Sequence, residues 1–268
     1  MVFVLKANGE KAKFEKKKII GTCLRSGVSK QQAEQIATQV ESQVRDGMRT
    51  RDILRMVLQK LDAFQTGHAE KYRLRDAISA LNPEFQEFEK YIAHLFRALG
   101  YKTKWNQIIQ GAIIEHQVDV IAEKDGKKIL VECKHHRNPH RMTGLDIPLT
   151  YWAILDDIQK GKHYYDNMWL VTNTKFSMHA IKYGQAKGLL MTGWGQPKQN
   201  SLPSLVDKKG LYPVTVLDFS EAELIKMSKV GILLLNELLI PENELRSKLK
   251  LSSKRISDIL NKAKRVIG

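Results

Sequence analysis

The amino-acid sequence predicts a multidomain α/β protein, and three observations carry that prediction. Residues 102–134 read as three successive strand-like segments, the last two joined across Asp125-Gly126, a dipeptide suited to a tight hairpin turn. Amphipathic helical periodicity flanks these segments, and helices around a mostly buried sheet define the α/β and α+β classes. Composition breaks at Leu81-Asn82-Pro83 and again over residues 195–213, where Pro197, Pro203, Gly210 and Pro213 crowd together. The chain therefore divides into a first region over 1–80, a central region over 83–195, a linker over 196–219 and a helical segment over 220–268.

The first region opens with a short apolar strand over residues 2–5, a turn at Asn8-Gly9 and a second segment ending at Phe14. A helix is expected over 16–24 and another over 29–45, with Ser29 as N-cap and Gln32 completing a capping box. A third helix over 50–63 uses Thr50 as cap and repeats Ile53, Val57 and Leu61 on one face. A charge-rich helix over 68–79 closes the region.

In the central region a helix over 84–99 gathers Phe88, Ile92, Leu95, Phe96 and Leu99 on its apolar face and stops at Gly100. Strands are expected over 102–108, 117–123 and 128–134. A helix over 149–160, a buried strand over 168–172, a helix over 177–187 and a short strand over 188–191 follow. The segment 220–267 reads as helical, and no internal repeat or low-complexity tract is present.

Chemistry concentrates in residues 116–136, HQVDVIAEKDGKKILVECKHH. Asp119 lies inside one apolar segment and Glu132 at the end of the next. Lys134 follows Glu132 by two residues, and strand side chains repeat every two, so both point to one face. Ile129, Leu130 and Val131 show no alternation, as in a strand buried on both faces. A carboxylate there is costly unless paired or metal-bound. Two carboxylates beside an ammonium group can hold a divalent cation and position a water, which is the equipment for cutting a phosphodiester. On a solvated strand face the same spacing would be idle, and only the surrounding strand pattern argues otherwise.

The whole chain bounds the partner. Its 268 residues carry a formal charge of +15, with a pI near 9.7. Basic residues outnumber acidic ones 16 to 9 over 1–80, 16 to 12 over 81–200 and 12 to 8 over 201–268, so no single tail causes the excess. Such a field favours a polyanion, nucleic acid before membrane, because no amphipathic anchor or lipidation signal is visible. Cys23 and Cys133 are far apart and outside any Cys/His metal spacing, which argues against a disulfide scaffold or structural zinc and fits a reducing cytosol. The opening MVFVLKANGEK lacks the apolar stretch of a signal peptide. The run 231–240 contains Asn236 and Glu237 and is too short to span a bilayer, so a cytoplasmic, soluble protein is expected.

Over about 83–195 the chain resembles the Mrr-type restriction endonucleases, a branch of the PD-(D/E)xK nuclease superfamily. Phe88-Glu89 precedes an apolar helix ending in Leu99-Gly100-Tyr101. Gly111, His116, Val118-Asp119-Val120 and Val131-Glu132-Cys133-Lys134 follow, then Leu170-Val171-Thr172-Asn173 with Phe176-Ser177 and Ala180. The branch's frequent Gln is replaced by Glu132, the broader superfamily pattern. The resemblance implies a restriction-endonuclease-like core with a central mixed sheet. It implies that Asp119, Glu132 and the backbone carbonyl of Cys133 ligate magnesium or manganese. Lys134 would position the attacking water, and Glu89 would lie on the first helix near the cluster. His116 is expected to face substrate from its strand, since hard cations prefer oxygen. His135, His136, Arg137 and His140 are expected to touch phosphates or solvent.

The first region resembles an ATP-cone, a nucleotide-sensing module, through Val4-x-Lys6-x-x-Gly9, Phe14, Lys18, Ile19, Thr50 and Tyr72-Arg73. The resemblance implies ATP or dATP as a regulatory ligand. Lys6 and Lys18 would meet phosphates, Asn8 and Gly9 would let the backbone approach, and Thr50 would offer a hydroxyl. Val4, Ile19 and Arg73 complete the implied binding set. Ala7 stands where family members often carry Arg. No GxxxxGK[ST] loop exists, so nucleotide would be an effector and not a fuel. The tail from 229 to 267 is similar to helix-hairpin-helix DNA-binding modules through Val230-Gly231-Ile232, Leu249-Lys250-Leu251-Ser252 and Ile259-Leu260. Lys250 occupies a position where the hairpin usually has Gly.

Together these readings lead to an expected magnesium-dependent DNA endonuclease, governed by nucleotide and held on DNA partly by the tail. A homodimer or larger assembly is expected, since one active site cuts one strand. A nucleotide-responsive DNA-binding regulator with an inert core is the alternative from another class, and it would bind DNA without magnesium. An enzyme for RNA or branched DNA would use the same chemistry on a differently shaped substrate.

Overall fold

The computed structural model describes residues 2–6, 9–26, 28–64, 73–162 and 164–267, and the chain forms two units, 1–74 with 251–268, and 75–250. In the first, β1 (Phe3–Leu5) pairs antiparallel with β2 (Lys11–Lys13) and parallel with β3 (Met48–Arg49), in the order β2-β1-β3. Three helices follow in sequence order, α1 (Lys16–Arg25), α2 (Lys30–Glu41) and α3 (Thr50–Phe64). Ser29 and Gln32 close the expected capping box on α2. That helix ends at Glu41 and not at residue 45. Val44 still reaches the core from the turn beyond it, so its apolar spacing had mimicked another helical turn. Val4, Cys23, Ile36, Val40, Val57 and Leu61 lie at the centre of this core. The charge-rich helix expected over 68–79 is described only as a short one, Leu74–Ser79 (α4), because residues 65–72 lie outside the described residues.

The second unit is built on a five-stranded mixed sheet of order β10-β8-β6-β5-β4. β4 (Lys102–Gln110), β5 (Glu115–Lys124) and β6 (Lys127–Lys134) form an antiparallel meander. β8 (Asn167–Thr172) and β10 (Leu190–Thr192) add in parallel. Asp125 and Gly126 both have positive φ, 51° and 76°, which is the backbone of a two-residue hairpin turn whose twist matches that of the strands. Two short segments, β7 (Met142–Thr143) and β9 (Lys175–Phe176), pair in parallel beside the sheet.

Helices cover both faces. α5 (Glu87–Ala98) buries Phe88, Ile92, Leu95 and Phe96, and Phe96 meets Trp169 of β8 edge-on with ring centres 5.0 Å apart. The neighbouring residue Leu170 points the other way, into a core with Leu130, Leu155, Ile158 and Ala180. α6 (Asp146–Gln159) and α7 (Met178–Ala186) close that second face. α5 starts three residues later than the apolar pattern suggests, because Pro83–Phe85 forms a 3₁₀ turn and Gln86 takes φ 51°. α6 starts three residues earlier, since Pro148 is tolerated in a first helical turn.

Residues 196–219, expected as a linker, contain α8 (Leu202–Lys209), whose Leu202, Leu205 and Val206 are buried. The Tyr91 hydroxyl donates to the Leu211 carbonyl at 2.8 Å and ties the same stretch to α5. Proline at the first turn of α8 and Gly210 just past its end are helix punctuation there, not loop composition. α9 (Glu221–Lys229) and α10 (Glu242–Leu249) complete this unit, and α11 (Ser253–Ile267) belongs to the first. The expected helical segment thus contributes to both units. Among the described residues no helix is long and apolar enough to cross a membrane.

Candidate active site

β5 and β6 pair through Val120↔Val131 and Ile121↔Leu130, and one further step along that register brings Asp119 across from Glu132. The Cys133 backbone N–H donates to Asp119 Oδ2 at 2.8 Å. Glu132 and Lys134 follow Leu130 at the two-residue repeat, and β6 holds them against Leu170 and Thr172 of β8. Leu130 is fully buried beneath α6, so the strand delivers its acid at the edge of a dry core.

Burial and mutual repulsion dominate the electrostatics. Burial pushes Asp119 up to about 6, opposed first by the Cys133 N–H, while the charge of Glu89 adds to the rise. Burial and then the charge of Asp119 push Glu132 up to about 8. Two acids so placed retain a proton near neutrality, because like charges in a low dielectric cannot both ionise. Lys134 favours the ionised form of both. Tyr151 of α6 adjoins Glu132 and favours its ionised form, and burial beside these acids keeps the phenol protonated.

Glu89, on the first turn of α5, is the third acid of the site. Its Oε2 is buried and has no hydrogen-bond partner among the described residues. A buried carboxylate oxygen without a donor needs a cation or water to justify its desolvation. No three His, Cys, Asp or Glu side chains among the described residues form a metal-holding group by themselves. Two carboxyl groups on paired strands, a neighbouring backbone carbonyl and an orphaned carboxylate oxygen nevertheless make a hard, oxygen-only donor set, the kind that magnesium and manganese take.

Neighbouring polar groups brace the end of β6. Thr143, Thr172 and Thr174 form a buried triangle of hydroxyls with edges of 3.0, 2.9 and 3.2 Å, and Thr172 Oγ1 donates to the Lys134 carbonyl at 2.8 Å. Asn173 Nδ2 donates to the His136 carbonyl, and Asn173 Oδ1 accepts the His136 N–H. The histidine expectations need correction. His116 does not face open substrate space; its Nε2 donates to Asp157 Oδ2 at 2.7 Å, and the same carboxylate accepts the N–H groups of Ile113 and Ile114. His135 stacks on Phe88 at 4.9 Å and donates to the Ile78 carbonyl, and burial lowers its pKa. His136 lies 3.1 Å from Thr143 Oγ1. Arg137 and His140 are exposed, as expected of groups that meet phosphate or solvent.

The residues expected to bind nucleotide are placed as follows. Val4 is buried on β1, and the half-buried Ile19 packs against the same core. The Gly9 N–H donates to the Lys6 carbonyl, Gly9 takes φ +83°, and Lys6 Nζ pairs with Glu10 at 3.0 Å. Lys18 pairs with Glu15. The parallel register Leu5↔Arg49 sets the ends of β1 and β3 side by side, and with them Lys6 and Thr50. Arg73 directly precedes α4. Asn8 and Tyr72 lie outside the described residues.

Tyr151 and the threonine triangle were not anticipated. No local pattern marks them, because a helix some twenty residues downstream supplies the tyrosine. A polar-tipped aromatic in the first turns of a helix facing a strand acid was the only available signal.

Comparison with known proteins matches residues 80–193 to a family described as "Restriction endonuclease" and residues 212–267 to one described as "AF1548-like, C-terminal". An uncharacterized protein of Archaeoglobus fulgidus is 35% identical over 177 residues, which cover 66% of this chain and all of that one. The crystal structure of AF1548, a protein of unknown function, is 36% identical with a TM-score of 0.60, covering 70% of this chain and 99% of the other. A repair endonuclease from Pyrococcus abyssi is 21% identical with a TM-score of 0.31, covering 38% of this chain and 45% of that one. Residues 80–193 are thus a restriction endonuclease domain of the Mrr catalytic type. Neither family match reaches residues 1–79, and the match to the tail is not described as a helix-hairpin-helix.

Proposed function

The chain belongs to the AF1548-like family, and on that premise we propose that it is a divalent-cation-dependent endonuclease that hydrolyses phosphodiester bonds in DNA. The observation that carries this reading is the half-buried Asp119–Glu132 pair with Lys134 beside it and the unpartnered, buried Glu89 Oε2 near Asp119. An inert core has no physical reason to retain two acids whose ionisation burial opposes.

Asp119, Glu132 and the Cys133 carbonyl would hold magnesium or manganese. When bound, the ion lowers the pKa of a ligated water and stabilises charge on the leaving oxygen. The chain's own groups do the rest. The Cys133 N–H fixes the Asp119 carboxylate, and Tyr151 favours the ionised form of Glu132. Lys134 offsets negative charge at the phosphate and orients the attacking water from the end of a strand braced by Thr172. Exposed Arg137 and His140 offer the flanking phosphates cationic and hydrogen-bonding contacts.

The same proposal assigns residues 1–74 an effector role for ATP or dATP, through Lys6, Gly9, Lys18 and Thr50. Its support is the β1–β3 register that sets Lys6 next to Thr50. It assigns the segment after 220 a sequence-independent DNA contact, supported by eight basic residues against Asp258 alone over 246–268. Lys250 takes φ 51° there, the left-handed conformation for which a hairpin would normally use glycine. A homodimer would let two sites cut both strands.

The decisive assay is nicking and linearisation of supercoiled plasmid with magnesium or chelator, with and without ATP. Cleavage that needs magnesium and disappears in Glu132→Ala and Lys134→Ala is expected. Equal cleavage by both variants and the wild type would remove this site from the chemistry.

A further inference from the structure

A groove on the other side of α5 has the chemistry of a nucleic-acid subsite. Lys90, His94 and Arg97 recur at helical spacing and form one stripe of α5. Trp105 of the edge strand β4 faces this stripe, 38% exposed, with Lys90 Nζ 5.0 Å from its ring centre. The end of α9 at Ser228 and the chain just beyond it, at Gly231, Ile232 and Leu233, close the groove, whose volume is about 160 Å³.

The acids nearby are already committed to internal partners. Glu87 accepts the Asn82 N–H at 2.7 Å and the Ser228 hydroxyl. Glu237 accepts the N–H groups of Leu233 and Leu234 at 2.7 and 2.8 Å and lies 3.7 Å from His94 Nδ1. Among the described residues neither Lys90 nor Arg97 pairs with a carboxylate. Arg97 Nε donates only to the Thr103 hydroxyl at 2.8 Å. Two cations without carboxylate partners and a half-open indole remain.

We propose that this groove binds a single-stranded stretch of nucleic acid, with a base stacked on Trp105 and the adjoining phosphates at Lys90 and Arg97. Every base has a π face, so an indole beside cations suits unpaired strands of any sequence. Bases stacked inside a duplex cannot reach such a ring without leaving the stack. The groove is also smaller than the roughly 300–1,000 Å³ of pockets for separate small ligands, which suits one unit of a polymer. It shares its elements with the candidate active site. Lys90 adjoins Glu89 on α5, and Trp105 pairs with Val120, the neighbour of Asp119. The groove therefore selects DNA with an unpaired segment near the point of cutting, a role in cleavage that rests on the endonuclease reading above.

Binding tests the groove without relying on cleavage. Fluorescence anisotropy with the full chain in chelator compares labelled oligothymidylate with a duplex of equal length. Trp105→Ala is expected to weaken single-strand binding about 5–150-fold, the range of one lost base stack, and to change duplex binding by less than about twofold. Trp105→Phe keeps a stacking face and retains most of the affinity. Lys90→Ala lowers the salt dependence of single-strand binding. Unchanged single-strand affinity in Trp105→Ala overturns the proposal, and so does an equal loss on both DNAs. A wild type that never cuts, yet shows the Trp105 effect, loses the endonuclease reading and keeps the groove. Normal cutting without that effect does the reverse.

Discussion

The Cys133 backbone N–H donates to Asp119 Oδ2 at 2.8 Å, so the acid of one strand is held by the middle residue of the Glu-x-Lys motif on the next. A hydrogen bond to an ionised group is worth more than one between neutral groups, and it orients the carboxylate before any cation arrives. Asp119→Asn keeps the size of the side chain and removes the charge. Plasmid cleavage in this variant should fall by at least about a hundredfold, while circular dichroism and thermal unfolding stay near wild type. A variant that cuts at the wild-type rate would sink the ligand role of Asp119.

The raised carboxyls make stability depend on pH in a specific direction. Asp119 and Glu132 hold protons in the folded chain that the unfolded chain releases near the ordinary carboxylate range. Their stabilising contribution is therefore fully present below about pH 4 and is lost as pH rises through about 6 and then about 8. In chelator, Tm should fall across this window, and the fall should be shallower in Glu132→Gln, which cannot ionise. Manganese should oppose the trend, since ligation requires the ionised acids and releases protons. Identical slopes for wild type and Glu132→Gln would contradict it.

Tyr151→Phe removes the hydroxyl that favours the ionised form of Glu132 and little else. Outer partners of metal-binding groups typically govern about 10–100-fold in affinity or activity. Calorimetric titration with manganese should show weaker binding, and cleavage should slow by a similar factor with an unchanged KM for DNA. A rise in KM alone would place Tyr151 at the DNA surface instead.

Gly111 adjoins the carboxylate that His116 engages. A Cβ there would collide with the Asp157 carboxylate and crowd the Ile114 carbonyl. Gly111→Ala should cost about 1–3 kcal/mol of stability, read as a lower midpoint in denaturant. A midpoint equal to wild type would show that the turn relaxes freely.

ATP or dATP should raise Tm if residues 1–74 bind it, by the mass-action gain of about 2.7 kcal/mol at a hundredfold excess over Kd. Lys18→Ala should reduce that gain. No shift with either nucleotide, in a protein that still unfolds cooperatively, would end the effector proposal.

Much of the fold was legible in local pattern. The Ser29 capping box, the Asp125-Gly126 hairpin and the apolar face of α5 are short-range features whose causes lie within a few residues. The sequence misled where apolar spacing continued across a break, as at Val44, or where Pro and Gly punctuated a helix inside an expected linker, as in α8. At the site, the same limit separates the acids from their supports. Asp119, Glu132 and Lys134 stand out because charge is improbable in buried strands, whereas nothing near Tyr151 or Trp105 announces which strand each will meet.

The sequence by itself determined that two acids and an amine would ride on neighbouring strands joined by a tight turn, because a two-residue hairpin and a two-residue side-chain repeat leave little freedom in register. Only the tertiary structure decided what surrounds them. It laid Tyr151 on Glu132, left Glu89 Oε2 without a donor, turned His116 inward to Asp157 and opened a basic groove beside Trp105. Such contacts join residues far apart in the chain, and they follow from how helices pack across the sheet, which no local spacing encodes.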